Sequence, residues 1–325
     1  MRPLTDSLHN NRNAFLVGQY DNVLFWDQEL NSTTTQLCYR DLSQEPNEVK
    51  VLLVQAGVKL THPKVLDLGQ SSTLADLKIF YQTNEGKDID LKYVTLKADG
   101  SISDPEIVST FPGNDVNLTI DDSGLLAWEN SGKIWVSHYL YQSNSFSTPF
   151  AVDTIDSYAP VISSQNFLNY LKHNADSTDV ITINMYFDQV KWKFGDTIIR
   201  SFPGVYSNFT TNNKFAGMNL CMQGKTETGL DGLTVFDRTY NRADYLTSPS
   251  FNLSQPAISD FMIAVKKANQ TSNMYFLAYV SDSLAQNEVF IQTPMNYETQ
   301  NISQWAGDDR NPQLFVTFPW PYIRY

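Results

Sequence analysis

The chain has 325 residues, of which 35 are acidic and 23 basic, and its formal charge is −12. Phosphate binding needs a cluster of Lys and Arg, and no such cluster is visible, so the charge argues against nucleic acid as a partner. No stretch approaches the roughly 20 apolar residues of a membrane span. These observations predict an acidic protein without a transmembrane segment.

Aromatic residues make up 13% of the chain, and they favour strands over helices. An all-β propeller can reach this length as one domain, because each blade adds its own core. Cys38 and Cys221 are the only cysteines, which excludes a disulfide scaffold. We expect two separate buried thiols rather than one long-range bridge.

Six segments along the chain share a pattern of apolar residues, then an aromatic, then a polar turn. The aromatics are Trp26, Tyr81, Trp128, Tyr186, Phe236 and Tyr279. Their spacing of about 50 residues is typical of a four-stranded propeller blade. The pattern therefore predicts an all-β fold, a six-bladed β-propeller.

A different strand precedes most of these segments and opens with a proline or a small residue. The clear copies begin His62-Pro63, Ala159-Pro160, Gln255-Pro256 and Asn311-Pro312, and Asn13-Ala14 is a looser copy. Proline is tolerated at the first residue of a strand, because no ladder hydrogen bond is lost there. We therefore expect strands to start at these prolines.

The two patterns together divide residues 1–325 into one domain of consecutive blades. The predicted blades cover residues 13–60, 61–112, 113–156, 157–213, 214–252 and 253–307, followed by a closing segment at 308–325. A propeller must protect the edges of its first and last blades, usually by sharing strands between the termini. The closing segment either seals six blades in this way or starts a partial seventh blade, and we favour six.

Two irregular regions are candidates for binding a partner. Residues 189–214 contain a predicted strand at 197–202 and then a long loop. Trp192, Tyr206 and Phe209 are contact candidates there, although burial of these side chains is the favoured interpretation. The C-terminal residues Trp320, Tyr322, Arg324 and Tyr325 form the second candidate, because rigid aromatic and Arg side chains are typical anchors of protein interfaces. The same tail could instead pack as the closing strand.

No catalytic, cofactor or metal site is expected. The four histidines, His9, His62, His138 and His173, lack the spacing of zinc ligands. Asn84, Asp88 and Asp90 alternate as calcium ligands do, but a hairpin turn explains them as well. Asp27, Glu129, Asp188 and Asp237 follow repeated aromatics, so they form either a glycosidase-like ring of acids or ordinary turns.

The turns also resemble a known family. The segment from Ile79 to Leu91, ending Lys97-Ala98-Asp99-Gly100, and the segment from Ala278 to Phe290 are similar to the repeat of TolB-type propellers. In that family an apolar strand, a polar turn with glycine, an acidic residue and an Asp-Gly turn recur. The predicted blades four and five depart from this pattern.

The resemblance implies a fold more firmly than a function. TolB-type propellers are mostly periplasmic or secreted scaffolds for protein contacts, and the Asn and Tyr content also resembles exported envelope propellers of the Bacteroidota. The expectation is a non-catalytic propeller that binds another protein in an envelope, outer-membrane or secretion complex. The alternative is a secreted glycan-binding or glycosidase-like propeller. Residues 1–11 are polar and do not form a signal peptide, so an exported protein would have lost its signal.

Overall fold

The structure is a computed structural model, and it describes most of the chain between residues 10 and 301. The segments left out of the description are 1–9, 18–22, 43–47, 67–76, 98, 122, 154, 164–165, 189, 212–218, 226–228, 238–241, 249, 259–262, 268–269, 275–276, 284–286, 293–298 and 302–325. All regular structure in the described residues is β-strand.

Three antiparallel sheets occupy the first half of the chain. The strands of the first blade are β1 (Asn10–Val17), β2 (Val23–Asn31), β3 (Thr34–Asp41) and β4 (Lys50–Val54). The second blade contains β5 (Leu60–Leu66), β6 (Leu77–Thr83), β7 (Asp90–Leu96) and β8 (Glu106–Ile107). The third contains β9 (Asp115–Ile120), β10 (Leu125–Asn130), β11 (Lys133–Leu140), β12 (Ser145–Phe146) and β13 (Phe150–Asp153).

Three further sheets follow in the second half. The fourth blade contains β14 (Ser157–Ser163), β15 (Phe167–His173), β16 (Ser177–Phe187) and β17 (Trp192–Pro203). The fifth contains β18 (Tyr206–Thr211), β19 (Asn219–Lys225), β20 (Asp231–Asp237) and β21 (Arg242–Leu246). The sixth contains β22 (Leu253–Ile258), β25 (Leu277–Ser281), β26 (Glu288–Gln292) and β27 (Thr299–Asn301), with the hairpin β23 (Ile263–Lys267) and β24 (Gln270–Met274) inserted after its first strand.

The six sheets form a six-bladed β-propeller, which confirms the predicted fold class. The first strand of each sheet contacts the first strand of the next, from β1 through β5, β9, β14 and β18 to β22. These inner strands therefore line the central channel. Each of the first five sheets is built from consecutive strands of the chain, and in the sixth the β23–β24 hairpin interrupts the order. The predicted closing segment 308–325 lies outside the described residues.

The core consists of apolar layers between neighbouring blades. Phe25 and Leu37 of blade one pack with Ile79 of blade two, and equivalent clusters join each following pair of blades up to blade six. The opposite face of blade one is also buried, at Trp26 and Cys38. Both cysteines are buried and free, as predicted. Stability therefore comes from sheet-on-sheet packing around the whole propeller.

The aromatic repeat marks the second strand in four blades only. Trp26, Tyr81, Trp128 and Tyr279 lie in second strands, whereas Tyr186 and Phe236 lie in third strands. The strand registers give Tyr170 and Met222 as the equivalent positions of blades four and five. The expected spacing therefore combined two kinds of strand, because an aromatic residue suits either strand of a blade.

Two of these aromatics bond to the inner strand of their own blade. Trp26 Nε1 donates to Asn11 Oδ1 at 2.8 Å, and Gln28 Nε2 donates to the same oxygen at 3.0 Å. In blade three, Trp128 Nε1 donates to Asp115 Oδ1 at 3.0 Å, and Asn130 Nδ2 does so at 2.7 Å. A single inner-strand oxygen thus satisfies two buried donors in each case.

The prolines lie inside the inner strands and do not start them. Pro63 is the fourth residue of β5, and the register between β5 and β6 shifts there. The residue before the proline, or before the residue that takes its place, has a positive φ in five inner strands. These residues are Asn13 (50°), His62 (54°), Asn117 (56°), Ala159 (50°) and Gln255 (49°). Proline fits because a β-bulge interrupts the ladder at this point.

The predicted boundary between blades four and five is also displaced. Residues Tyr206–Thr211 form the inner strand of blade five and pair with β19, although they were assigned to blade four. Tyr206 and Phe209 are buried, and Gly224 leaves room for the Tyr206 ring, since a Cβ there would lie 2.7 Å from Tyr206 Cδ1. The strand has no proline at its bulge, so the sequence pattern did not reveal it.

Removing the Trp128 indole should weaken blade three. We expect Trp128→Phe to lower the free energy of unfolding by about 1–3 kcal/mol, because the buried carboxylate of Asp115 loses a donor. The matched control is Tyr81→Phe, at the same position of blade two, where the hydroxyl bonds to no other described residue. Urea unfolding checks both variants, and equal losses would contradict the prediction.

Candidate functional site

Polar side chains of the second strands hold the bulges of the inner strands. Asp27 Oδ2 accepts a hydrogen bond from Asn13 Nδ2 at 2.6 Å within blade one. The same oxygen accepts the backbone N–H of His62, in blade two, at 3.0 Å. This arrangement, which we call the bulge latch, ties one blade to the next.

The latch recurs in alternate blades with different side chains. Glu129 Oε2 accepts from Asn117 Nδ2 at 3.0 Å and from the backbone N–H of Ala159 at 3.2 Å. In blade five the amide oxygen of Gln223 accepts from Asn208 Nδ2 at 2.7 Å and from the backbone N–H of Gln255 at 3.1 Å. An uncharged acceptor therefore performs the same role as the two carboxylates.

The four candidate acids do not occupy equivalent positions. Asp27 and Glu129 lie in second strands and hold latches, while Asp188 and Asp237 lie at the ends of third strands. Asp188 is paired with Lys193 at 2.8 Å at the tip of the β16–β17 hairpin. The alternative of one ring of acids is wrong, because the repeated aromatics that precede them belong to two kinds of strand. The favoured interpretation as turn residues is wrong for Asp27 and Glu129, which lie within strands.

The candidate calcium ligands cap loops between blades. Asn84 Oδ1 accepts the backbone N–H of Lys59 at 2.7 Å, and Asp88 Oδ2 accepts that of Gly113 at 3.1 Å. In the described part of the chain, no three His, Cys, Asp or Glu residues lie together as metal ligands do. Each of these two hydrogen bonds joins residues 25 positions apart, so Asn84 and Asp88 connect neighbouring loops and do not form a local turn bond.

The predicted contact residues of blade four are not brought together. Tyr206 and Phe209 belong to the core between blades four and five. Trp192 is half-buried at the start of β17, where its ring lies 5.1 Å from that of Phe187. The tail candidates Trp320, Tyr322, Arg324 and Tyr325 lie outside the described residues.

Exposed aromatic side chains lie around Trp192 instead. Phe194 and Tyr186 are each 47% exposed, and Phe150 of blade three is 41% exposed. The rings of Phe150 and Phe194 lie 5.7 Å apart, which joins the outer strands of the two blades. We call Phe150, Trp192 and Phe194 the aromatic rim, whereas Tyr186 pairs with Lys193 and lies on the opposite face of the hairpin.

A groove runs along the tip of the β16–β17 hairpin beside the rim. Its volume is about 610 Å³, and it is lined by Asn184, Tyr186 and the residues from Lys191 to Gly195. Lys193 lies over the Tyr186 ring at 5.7 Å from its centroid and also pairs with Asp188. Exposed aromatic rings with a polar border are typical of a protein-docking surface.

The sequence pattern missed two of the three rim residues. Phe150 and Phe194 were not singled out. One signal was present: in Trp192-Lys193-Phe194, aromatics alternate with a charge before a glycine. Alternation places the two aromatics on one face of a strand, but only tertiary structure shows whether that face is covered.

Comparisons with known proteins reveal similarity of fold. No family model and no curated protein sequence matches the chain. Among solved structures, TolB from Acinetobacter baumannii matches with a TM-score of 0.52 and 13% identity, over 92% of this chain and 67% of TolB. In fold, the chain is a TolB-like β-propeller.

Enzymes are found among the similar structures too. A puromycin-hydrolyzing peptidase from Mycobacterium tuberculosis matches with a TM-score of 0.55 and 11% identity, over 89% of this chain but only 45% of the peptidase. An oligogalacturonate lyase matches with a TM-score of 0.53 and 11% identity, over 90% of this chain and 79% of the lyase. The shared fold does not by itself decide whether this propeller is an enzyme. The described residues contain no helix long and apolar enough to cross a membrane.

The Asp27 latch should make stability depend on pH. Burial raises the pKa of Asp27 to about 6, although the bonds from Asn13 and His62 act the other way. The folded state therefore favours the protonated carboxyl, and its contribution to stability is lost as the pH rises from about 4 to about 6. Over this range, Asp27→Asn should gain up to about 3 kcal/mol relative to wild type.

Urea unfolding at a series of pH values measures this difference. The converse variant, Gln223→Glu, places a carboxyl in the blade-five latch, where Gln223 is buried, and should acquire a similar pH dependence. A wild-type minus Asp27→Asn difference that does not change between pH 4 and 6 would refute the assignment.

Proposed function

We propose that this propeller is a non-catalytic binding protein that docks another protein through its aromatic rim. The observation that carries the proposal is the cluster of exposed aromatic rings across the outer strands of blades three and four. Large rigid rings lose little conformational entropy when they are buried, so they are effective anchors of an interface. The propeller frame holds them in place without help from a cofactor.

The polar residues support a binding role over catalysis. Asp27 and Glu129 use their carboxylates to join blades, and Asp188 is paired with Lys193. A glycosidase needs two carboxyl groups facing each other across one pocket. Of the four acids considered for this role, these three are engaged in structural contacts.

The partner is proposed to be a component of a bacterial envelope or secretion assembly, with the propeller as its accessory or scaffold subunit. Similarity to TolB-type propellers, which are mostly periplasmic or secreted, supports this setting and a periplasmic or secreted location. The C-terminal aromatics Trp320, Tyr322, Arg324 and Tyr325 are proposed as a second contact.

Charge on the rim should abolish docking. We expect the double variant Phe150→Asp and Phe194→Asp to lose the partner in affinity capture from native-host extract, with the fall in affinity exceeding about tenfold. Both side chains are exposed, so thermal unfolding should change little. Tyr245→Asp is the matched control, because Tyr245 is 64% exposed on the outer strand of blade five.

The control variant should retain the partner. Equal recovery with the rim variant and the wild type would overturn the role of the rim. Deletion of residues 320–325 tests the tail separately: loss of the partner from a folded protein supports docking, whereas loss of folding indicates ring closure.

A further inference from the structure

The outer strand of blade four is far longer than the outer strands of the other blades. Strand β17 has 12 residues, whereas β4, β8, β13, β21 and β27 have 5, 2, 4, 5 and 3. Short outer strands protect a sheet from pairing with another chain. Among the described strands, none pairs with the outer edge of β17. Blade four therefore presents a long edge of backbone donors and acceptors.

This edge is also apolar and exposed. All residues from Lys193 to Ile199 are exposed, and Ile198 and Ile199 are 44% and 59% exposed. Consecutive strand residues face opposite sides of a sheet, so both faces of the edge carry an unburied isoleucine. Such an edge gains stability when another strand covers it.

The backbone of β17 is regular where the isoleucines lie. Thr197 pairs with Ile183 and Pro203 pairs with Ser177, and the register between them is unbroken. A bulge precedes this stretch, between the pairs formed by Ile183 and Met185. Residues 196–200 can therefore accept a further antiparallel strand at the outer edge, immediately after the bulge.

Antiparallel geometry restricts how two copies of β17 can pair. Hydrogen-bonded and non-hydrogen-bonded residue pairs alternate along the ladder. A two-fold axis must relate pairs of the same kind. If a residue faced its sequence neighbour, the axis would relate two adjacent pairs, which are of different kinds. One residue must therefore lie opposite its own copy. A register in which a residue meets its sequence neighbour is thereby excluded.

Charge then selects one of the permitted registers. With Ile198 opposite its own copy, Asp196 lies opposite Arg200 of the second copy, and the same pair forms again across the axis. With the axis at Thr197, Asp196 would instead face Ile198. With the axis at Ile199, it would face Phe202. Only the axis at Ile198 matches opposite charges and places isoleucine on isoleucine, which are favourable cross-strand pairs.

We propose that this protein forms a two-fold symmetric dimer through antiparallel pairing of β17 with β17 of a second copy, centred on Ile198. The two blades then form one continuous eight-stranded sheet across the axis. About four to six backbone hydrogen bonds join the strands, flanked by the two Asp196–Arg200 pairs. This inference goes beyond the proposed function, because it uses residues 196–200 and leaves the aromatic rim to another protein.

The contacts of Arg200 are compatible with this pairing. Its guanidinium lies 5.0 Å from the ring centroid of Phe236 in blade five, which holds it on one side of β17. Arg200 pairs with Val180 and Ile198 pairs with Thr182, so the two side chains share a face of the sheet. A guanidinium has five N–H donors and can bind a carboxylate while it contacts a ring.

Charge reversal provides the test. The mass of the full chain is measured by light scattering and analytical ultracentrifugation between about 1 µM and about 200 µM, where a micromolar dimer dissociates. We expect a concentration-dependent dimer. Asp196→Arg places like charges opposite each other, as does Arg200→Asp, and each should raise the dimer Kd at least tenfold. The double variant restores opposite charges and should return the Kd to within about threefold of wild type.

Further variants keep the result interpretable. Asp196 is exposed, so Asp196→Arg is expected to fold as wild type does, and circular dichroism checks every variant. Lys50→Glu, on the outer strand of blade one, is the matched control and should leave the Kd unchanged. A monomer at all concentrations would overturn the proposal, as would a double variant that dissociates like the single variants. Partner capture through the rim is measured separately, so failure of the dimer leaves the proposed function standing.

Discussion

A bulge in the innermost strand of blades two, four and six joins each of these blades to the preceding one. At the bulge, a residue in the left-handed conformation directs its backbone N–H toward the preceding blade, as His62 does toward Asp27. A non-glycine residue in this conformation costs about 1 kcal/mol or more. The hydrogen bond to the neighbouring blade offsets this strain, because the N–H would otherwise lack its ladder partner.

This constraint accounts for several of the polar side chains that contact the inner strands. An acceptor is needed on the second strand, and Asp27, Glu129 and Gln223 supply it in three blades. Asp27 and Glu129, two of the four acids considered for catalysis, thus have an architectural role. The loop residues Asn84 and Asp88 also have an architectural role, since both bind the backbone of a neighbouring loop.

The two proposed interfaces lie on surfaces that the packing of the blades does not require. The aromatic rim and the long edge of β17 share blade four but use different chemistry. Rings at the hairpin tip offer anchors to another protein, while the regular stretch after the bulge offers backbone groups and a charge pattern complementary to itself. Blade four therefore carries both proposed interfaces, and the other described blades end in short outer strands.

The sequence by itself determined the repeat, and with it the six-bladed propeller. Buried aromatics such as Trp26 and Trp128 recur because every blade needs a large apolar side chain in its second strand. The dipeptides His62-Pro63 and Ala159-Pro160 were also recognised in the sequence, but it did not show that they form β-bulges. A local pattern can record such features, because each blade repeats the same backbone geometry.

Only the tertiary structure decided which strand each segment occupies and which faces are covered. Tyr186 and Trp128 look alike in sequence, but one is an exposed residue of a third strand and the other is buried in a second strand. Tyr206 and Phe209 were assigned to blade four, with burial favoured, and they are buried in the inner strand of blade five. Burial depends on the neighbouring blade, which is distant in sequence, so periodicity within a segment cannot determine it.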